Sequence, residues 1–186
     1  MDEIALHDRA LDEVARLVAG VRPDQLDRPT PCTDWTVRTL IAHLIDANRR
    51  FTHVAEGQPV TRPDRPPDLG AEDYTDSYRE SAKALAEAWK VPGRLDQLFR
   101  LPFGELPGRA ALGMRLVELT GHGWDLARAT GQQPEFDQEL VAAATRFAQR
   151  SLPPGQRSGT PFAPASEAPA DASALDHLAA FLGRAV

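Results

Sequence analysis

Apolar residues recur at a 3.6-residue spacing in several separate stretches, and each predicts an amphipathic helix. The first runs from about Glu3 to Ala19 and carries Ile4, Leu11, Val14, Leu17 and Val18 on one side. Gly20 and Pro23 stop it. The second spans about Thr36 to Glu56, with Val37, Leu40, Ile41, Leu44, Ile45 and Phe51 inward. It follows a rigid connection, Arg28 to Trp35, in which Thr33 or Asp34 is the expected cap. A third helix, about Ala71 to Lys90, turns Tyr74, Tyr78, Leu85 and Trp89 inward and ends at Pro92-Gly93. Pro107-Gly108 opens a fourth, about Arg109 to Thr130, which Gly131 closes. The fifth covers about Asp137 to Arg150, with Leu140, Val141, Ala144 and Phe147 on one face. A short last helix, about Ser173 to Gly183, can dock through Leu175, Leu178, Phe181 and Leu182.

Between these elements the pattern breaks down. Gln58 to Gly70 contains Pro59, Pro63, Pro66 and Pro67 and must be a loop. Ser151 to Asp171 is rich in Pro, Gly, Ser and Ala and reads as a surface segment. Leu95 to Leu106 fits either a short extended pair or an irregular loop. The sum is an all-α chain, an up-and-down four-helix bundle with an extra C-terminal helix and long Pro-rich loops, forming a single domain over 1–186.

Composition narrows the function classes. Of the 186 residues, 42% are hydrophobic, enough for a core, and the formal net charge is −6. An acidic chain without a basic face is a poor match to nucleic acid. Cys32 is the single cysteine, so an intrachain disulfide is impossible, which suits a reducing cytoplasm. The start, Met1-Asp2-Glu3-Ile4, does not look like a secretory leader. No apolar stretch approaches the roughly 20 residues of a membrane span. A cytoplasmic protein is expected.

The chemistry concentrates in Glu118-Leu119-Thr120-Gly121-His122-Gly123-Trp124-Asp125-Leu126. Glu118 and His122 are four residues apart and share a helical face, where a carboxylate and an imidazole can hold one metal ion. His43 is the best third ligand, since it lies with Leu40, Leu44 and Ala47 on the inner side of its own helix. Two plainer accounts stand beside this: Arg115 can salt-bridge Glu118, or Glu118 is simply solvated. Asp125 can steady His122 or bond the loop, and Trp35 and Trp124 read as core or pocket-wall aromatics. Cys32 is weighed as a nucleophile and set aside, because no histidine neighbours it in sequence. His7 reads as a surface or edge histidine rather than a ligand, and His53 and His177 read as surface residues.

Pro31-Cys32-Thr33-Asp34-Trp35-Thr36-Val37-Arg38, then His43-Leu44, then Glu118 through Gly131, resemble the actinobacterial branch of the DinB-like superfamily. Within it they are most similar to mycothiol-dependent maleylpyruvate isomerase N-terminal domains and to uncharacterised proteins with the same motifs. Gly159-Thr160-Pro161-Phe162 and Leu175-Asp176-His177-Leu178 resemble the uncharacterised group. The resemblance implies a bundle holding a divalent metal, usually zinc, through His43, Glu118 and His122. An open metal position would then serve a low-molecular-weight thiol such as mycothiol. The partners implied are that thiol and a small electrophile, with a homodimer as one oligomeric form and no membrane or nucleic acid. The activity implied is S-transfer or isomerisation; the alternatives are a non-enzymatic metal- or ligand-binding bundle and a fold whose ligands have decayed. Two departures stand out. The isomerase carries a second, C-terminal domain that this sequence does not show, and Gly121 stands where a bulkier aliphatic residue is expected.

Overall fold

The computed structural model describes residues 2–32, 34–58, 73–101, 104–152 and 163–186. Among the described residues six α-helices follow one another: α1 (Glu3–Ala19), α2 (Val37–Ala55), α3 (Tyr74–Trp89), α4 (Gly108–Thr130), α5 (Gln138–Ser151) and α6 (Ala174–Phe181). The expected loop prolines 59, 63, 66 and 67, the cap candidate Thr33, Phe103 and the Gly159–Phe162 segment lie outside the described residues.

Most helix starts are closed by a side chain that accepts from an otherwise unpaired amide. Asp2 takes Ile4 N–H and Ala5 N–H, Asp73 takes Thr75 N–H and Asp76 N–H, and Asp137 takes Leu140 N–H. At α2 the cap is Thr36, whose hydroxyl accepts from Thr39 N–H at 3.3 Å, and not Asp34. Asp34 instead sits at φ 68°, in the left-handed region, where it turns the chain two residues too early to cap. Pro107, at the entry to α4, has no side-chain acceptor to offer. The amides of Gly108 and Arg109 are taken by the backbone carbonyls of Gln97 and Leu95. Those carbonyls are held in place by a hairpin, β1 (Leu98–Leu101) antiparallel to β2 (Gly104–Pro107), which settles the ambiguous stretch as an extended pair.

α1 packs on α3 and α4, and α2 packs on the same two helices from the other side. α5 and α6 lie outside this square, against α4 and each other. The link from α1 to α2 must therefore cross the bundle. It is tied down on the way: Gln25 Nε2 donates to the carbonyl of Thr130 at the end of α4, and Arg38 N–H donates to the carbonyl of Leu26. The link then folds on itself through Thr30 N–H to the Trp35 carbonyl. α4 is buried around most of its circumference, with Leu112, Leu116, Leu119 and Leu126 in the core. Gly131 ends it at φ 73°. Among the described residues, no helix is long and apolar enough to cross a membrane.

His7 corrects the sequence reading. It is fully buried, because it lies one turn before Leu11 on a helix that α3 and α4 both cover. Neither ring nitrogen has a hydrogen-bond partner. Burial, helped by the nearby Arg115 charge, pulls its pKa down to about 3 from the usual 6.5. The folded state keeps this ring neutral while the unfolded chain protonates it below about pH 6.5. Its contribution is therefore whole above pH 6.5 and is lost as pH falls toward 3, by up to about 1.4 kcal/mol per pH unit. Urea unfolding of His7→Leu should show a flatter loss of stability between pH 6.5 and 4.5 than the parent. Equal slopes would mean the histidine plays no part in acid sensitivity.

Candidate metal centre

Three rings meet where α2, α4 and the link converge. His43, on α2, and His122, on α4, have ring centroids 5.0 Å apart and nearly perpendicular planes. Trp35 covers both, 4.6 Å from His43 and 5.6 Å from His122. Arg115 of α4 reaches Asn48 and Leu44 of α2, while His122 meets His43, so the two helices run antiparallel.

His122 is gripped from behind. Its Nδ1 lies 3.0 Å from Asp125 Oδ2, one turn further along α4. Asp125 is fully buried, and Arg184 meets both of its oxygens: Nε donates to Oδ1 at 3.1 Å and Nη2 to Oδ2 at 2.8 Å. Burial alone would push the Asp125 carboxyl up, but the bonds from His122 and Arg184 outweigh it and hold it below the usual range. An ionised carboxylate can only accept, so Nδ1 carries a ring proton, and in the neutral imidazole Nε2 keeps its lone pair. That is the tautomer a metal ligand needs. The other nitrogen of Arg184, Nη1, donates to the carbonyl of Leu182.

Glu118 lies one turn before His122, with its side chain 28% exposed. Its Oε2 accepts from Arg115 Nη1 at 3.0 Å, the salt bridge weighed from the sequence. Arg115 is wholly buried. Its Nη2 donates to Asn48 Oδ1 at 2.6 Å and to the Leu44 carbonyl at 3.1 Å. Asn48 in turn donates to Ser81 Oγ, which donates to the Tyr78 carbonyl. A polar chain thus runs from Glu118 through the core to α3.

Of the residues singled out from the sequence, the structure gathers His43, His122, Asp125 and Trp35. Glu118 is on the same face of α4, engaged with Arg115. Trp124 is buried beneath α6, where its indole N–H donates to Asp176 Oδ1 at 2.8 Å and Arg128 lies over its ring. His53 and His177 are exposed. Two residues outside the expected ligand set sit beside the site: Cys32, set aside as a nucleophile from the sequence, and Arg184, which the sequence did not single out. Cys32, His122 and Asp125 place one ligand atom each within 4.8 Å of one another, a group that includes neither His43 nor Glu118. Arg184 is the other; its one signal was a lone charge after the apolar run Leu178 to Leu182. The Cys32 group is ill suited to a cation, because Arg184 already neutralises Asp125. Burial also pushes the Cys32 thiol up to about 11, away from its metal-binding form. The paired imidazoles, one held in the correct tautomer, with a carboxylate one turn away, are chemically suited to a divalent metal.

Residues 7–127 match the family described as the mycothiol maleylpyruvate isomerase N-terminal domain. Two uncharacterised proteins, from two strains of Mycobacterium tuberculosis, are each 39% identical over 187 residues, covering 100% of this chain and of their own. The crystal structure of a histidine-to-alanine mutant of the mycothiol-dependent maleylpyruvate isomerase superposes with a TM-score of 0.61. That alignment covers 81% of this chain and 68% of the other at 16% identity, a likeness of fold. The chain belongs to the mycothiol maleylpyruvate isomerase N-terminal domain family, and its all-α bundle is of the DinB-like kind. α5, α6 and Arg184 lie beyond the matched span.

Replacing Arg115 by Met should lower unfolding free energy by about 3 kcal/mol, because Asn48, the Leu44 carbonyl and Glu118 all lose a donor. Chemical denaturation measures it; a change below about 0.5 kcal/mol, the size of an ordinary surface substitution, would contradict this account.

Proposed function

We propose that this family member binds one divalent metal ion, zinc by the nature of the donors, through His43, Glu118 and His122. We further propose that it joins a mycothiol-type thiol to a small electrophile, or isomerises that electrophile through the thiol. The observation that carries the reading is the His43–His122 ring pair at 5.0 Å, with His122 Nδ1 bonded to Asp125. The family match supports the thiol.

Each residue has a part in this reading. His122 offers Nε2 because Asp125 holds the proton on Nδ1. Arg115 binds Oε2 of Glu118, which orients the carboxylate and leaves Oε1 as the donor. Trp35 lies over both imidazoles and keeps water off that side. Three protein donors leave an open position, where a bound zinc ion would keep a thiol in its thiolate form near neutral pH. Cys32, with its raised pKa, stays a neutral thiol and does not compete with the cosubstrate.

Purified protein should carry close to one equivalent of zinc by elemental analysis. His43→Ala, Glu118→Gln and His122→Ala should each weaken zinc binding by more than the roughly 10–100-fold that loss of an outer partner costs. Thiol conjugation to simple electrophiles in the presence of mycothiol should fall with the metal. A parent protein that takes up no zinc after supplementation would rule out the metal. Zinc without turnover for any thiol–electrophile pair would reduce the function to metal binding.

A further inference from the structure

The C-terminal segment, residues 163–186, is seated on α4 through the same stretch that carries His122. Leu182 Cδ1 lies 3.0 Å from where a β-carbon on Gly121 would stand. Trp124 donates to Asp176 of α6. Asp125 receives two bonds from Arg184, which is itself buried. The segment is also closed on itself. Ser166 N–H donates to the Ala180 carbonyl, Arg184 N–H donates to the Ala179 carbonyl, and Ser166 Oγ donates to the Arg184 carbonyl. Arg184 is thus fixed at its backbone, at Nη1 by Leu182, and at Nε and Nη2 by Asp125.

We propose that Arg184 is a positioning residue for the metal histidine: by clamping both oxygens of Asp125, it fixes the His122 ring with its proton on Nδ1 and Nε2 toward the site. The inference rests on His122 being a metal ligand. Its reach extends past the family match, so the site depends on a part of the chain that the matched domain does not include. The physical case is geometric. A planar guanidinium meeting both carboxylate oxygens allows the carboxylate one orientation, which a point charge would not. Without it, Asp125 could turn away from Nδ1 and the imidazole would be free to exchange tautomers.

The test compares parent protein, Arg184→Met and Arg184→Lys, with Zn2+ alone as the probe. Nitrogen-15 NMR of the metal-free proteins reads the His122 tautomer, and competition with a chelator reads zinc affinity. The parent should show the Nδ1-protonated tautomer. Arg184→Met should show a mixture and bind zinc about 10–100-fold more weakly, as expected when an outer partner of a ligand is lost. Arg184→Lys should recover part of both, and it carries the test if the Met variant does not fold. A single Nδ1-protonated tautomer in both variants overturns the proposal, whatever happens to affinity. Unchanged zinc affinity in both variants also overturns it. If the parent binds no zinc, the metal reading fails by itself, and the tautomer comparison still decides the role of Arg184.

Discussion

A guanidinium withdrawn from water must be met by acceptors, and in this bundle Arg115 sets the terms on which α2 and α4 can pack. Its bonds to Asn48 and the Leu44 carbonyl hold one register between the two antiparallel helices. Seven residues on along α4 and five back along α2, that register brings His122 opposite His43. A slip of one turn, about 5.4 Å, would separate the two imidazoles and take both α2 acceptors away from the arginine. The same side chain binds Glu118. One buried charge thus aligns the two histidine-bearing helices and orients the carboxylate beside them. It also lies close enough to His7 to help keep that ring neutral.

The stretch from Glu118 to Leu126 faces two ways. One side carries Glu118 and His122. The other holds its surroundings: Gly123 leaves room for the Phe136 ring, whose Cζ lies 2.5 Å from where a β-carbon would be, and Trp124 anchors α6. Asp125 connects the two sides, bonding His122 and Arg184 at once. Much of the motif is therefore explained by packing, with the donors set into it.

What could be read from the sequence was what depends on neighbours along the chain. Helix positions followed from apolar spacing, and the ends of α4 from Pro107-Gly108 and Gly131. The cap of α2 was misplaced because the left-handed turn at Asp34 is set by how the link folds back from Thr30 to Trp35. His7 was misread because a histidine within an amphipathic pattern does not reveal that two helices cover it. The approach of His43 to His122 spans 79 positions; periodicity put each ring on an inner face, and the motif resemblance paired them. Cys32 and Arg184 reach the site only through the path of a link and a tail, for which local pattern holds no code. Arg115 was legible as a partner for Glu118, but its bonds to α2 were not.

Gly121 costs α4 about 1 kcal/mol of helix propensity relative to alanine, and the tail accounts for it. A methyl group there would press on Leu182 Cδ1, and a larger side chain would press harder on the segment that carries Arg184. The residue before the histidine therefore works as an imprint of what lies on the outer side of α4. A bulkier aliphatic residue at this position would oblige Leu182, and with it the C-terminal segment, to repack against α4. A glycine there, with an arginine after a short apolar helix, marks the architecture seen in this protein.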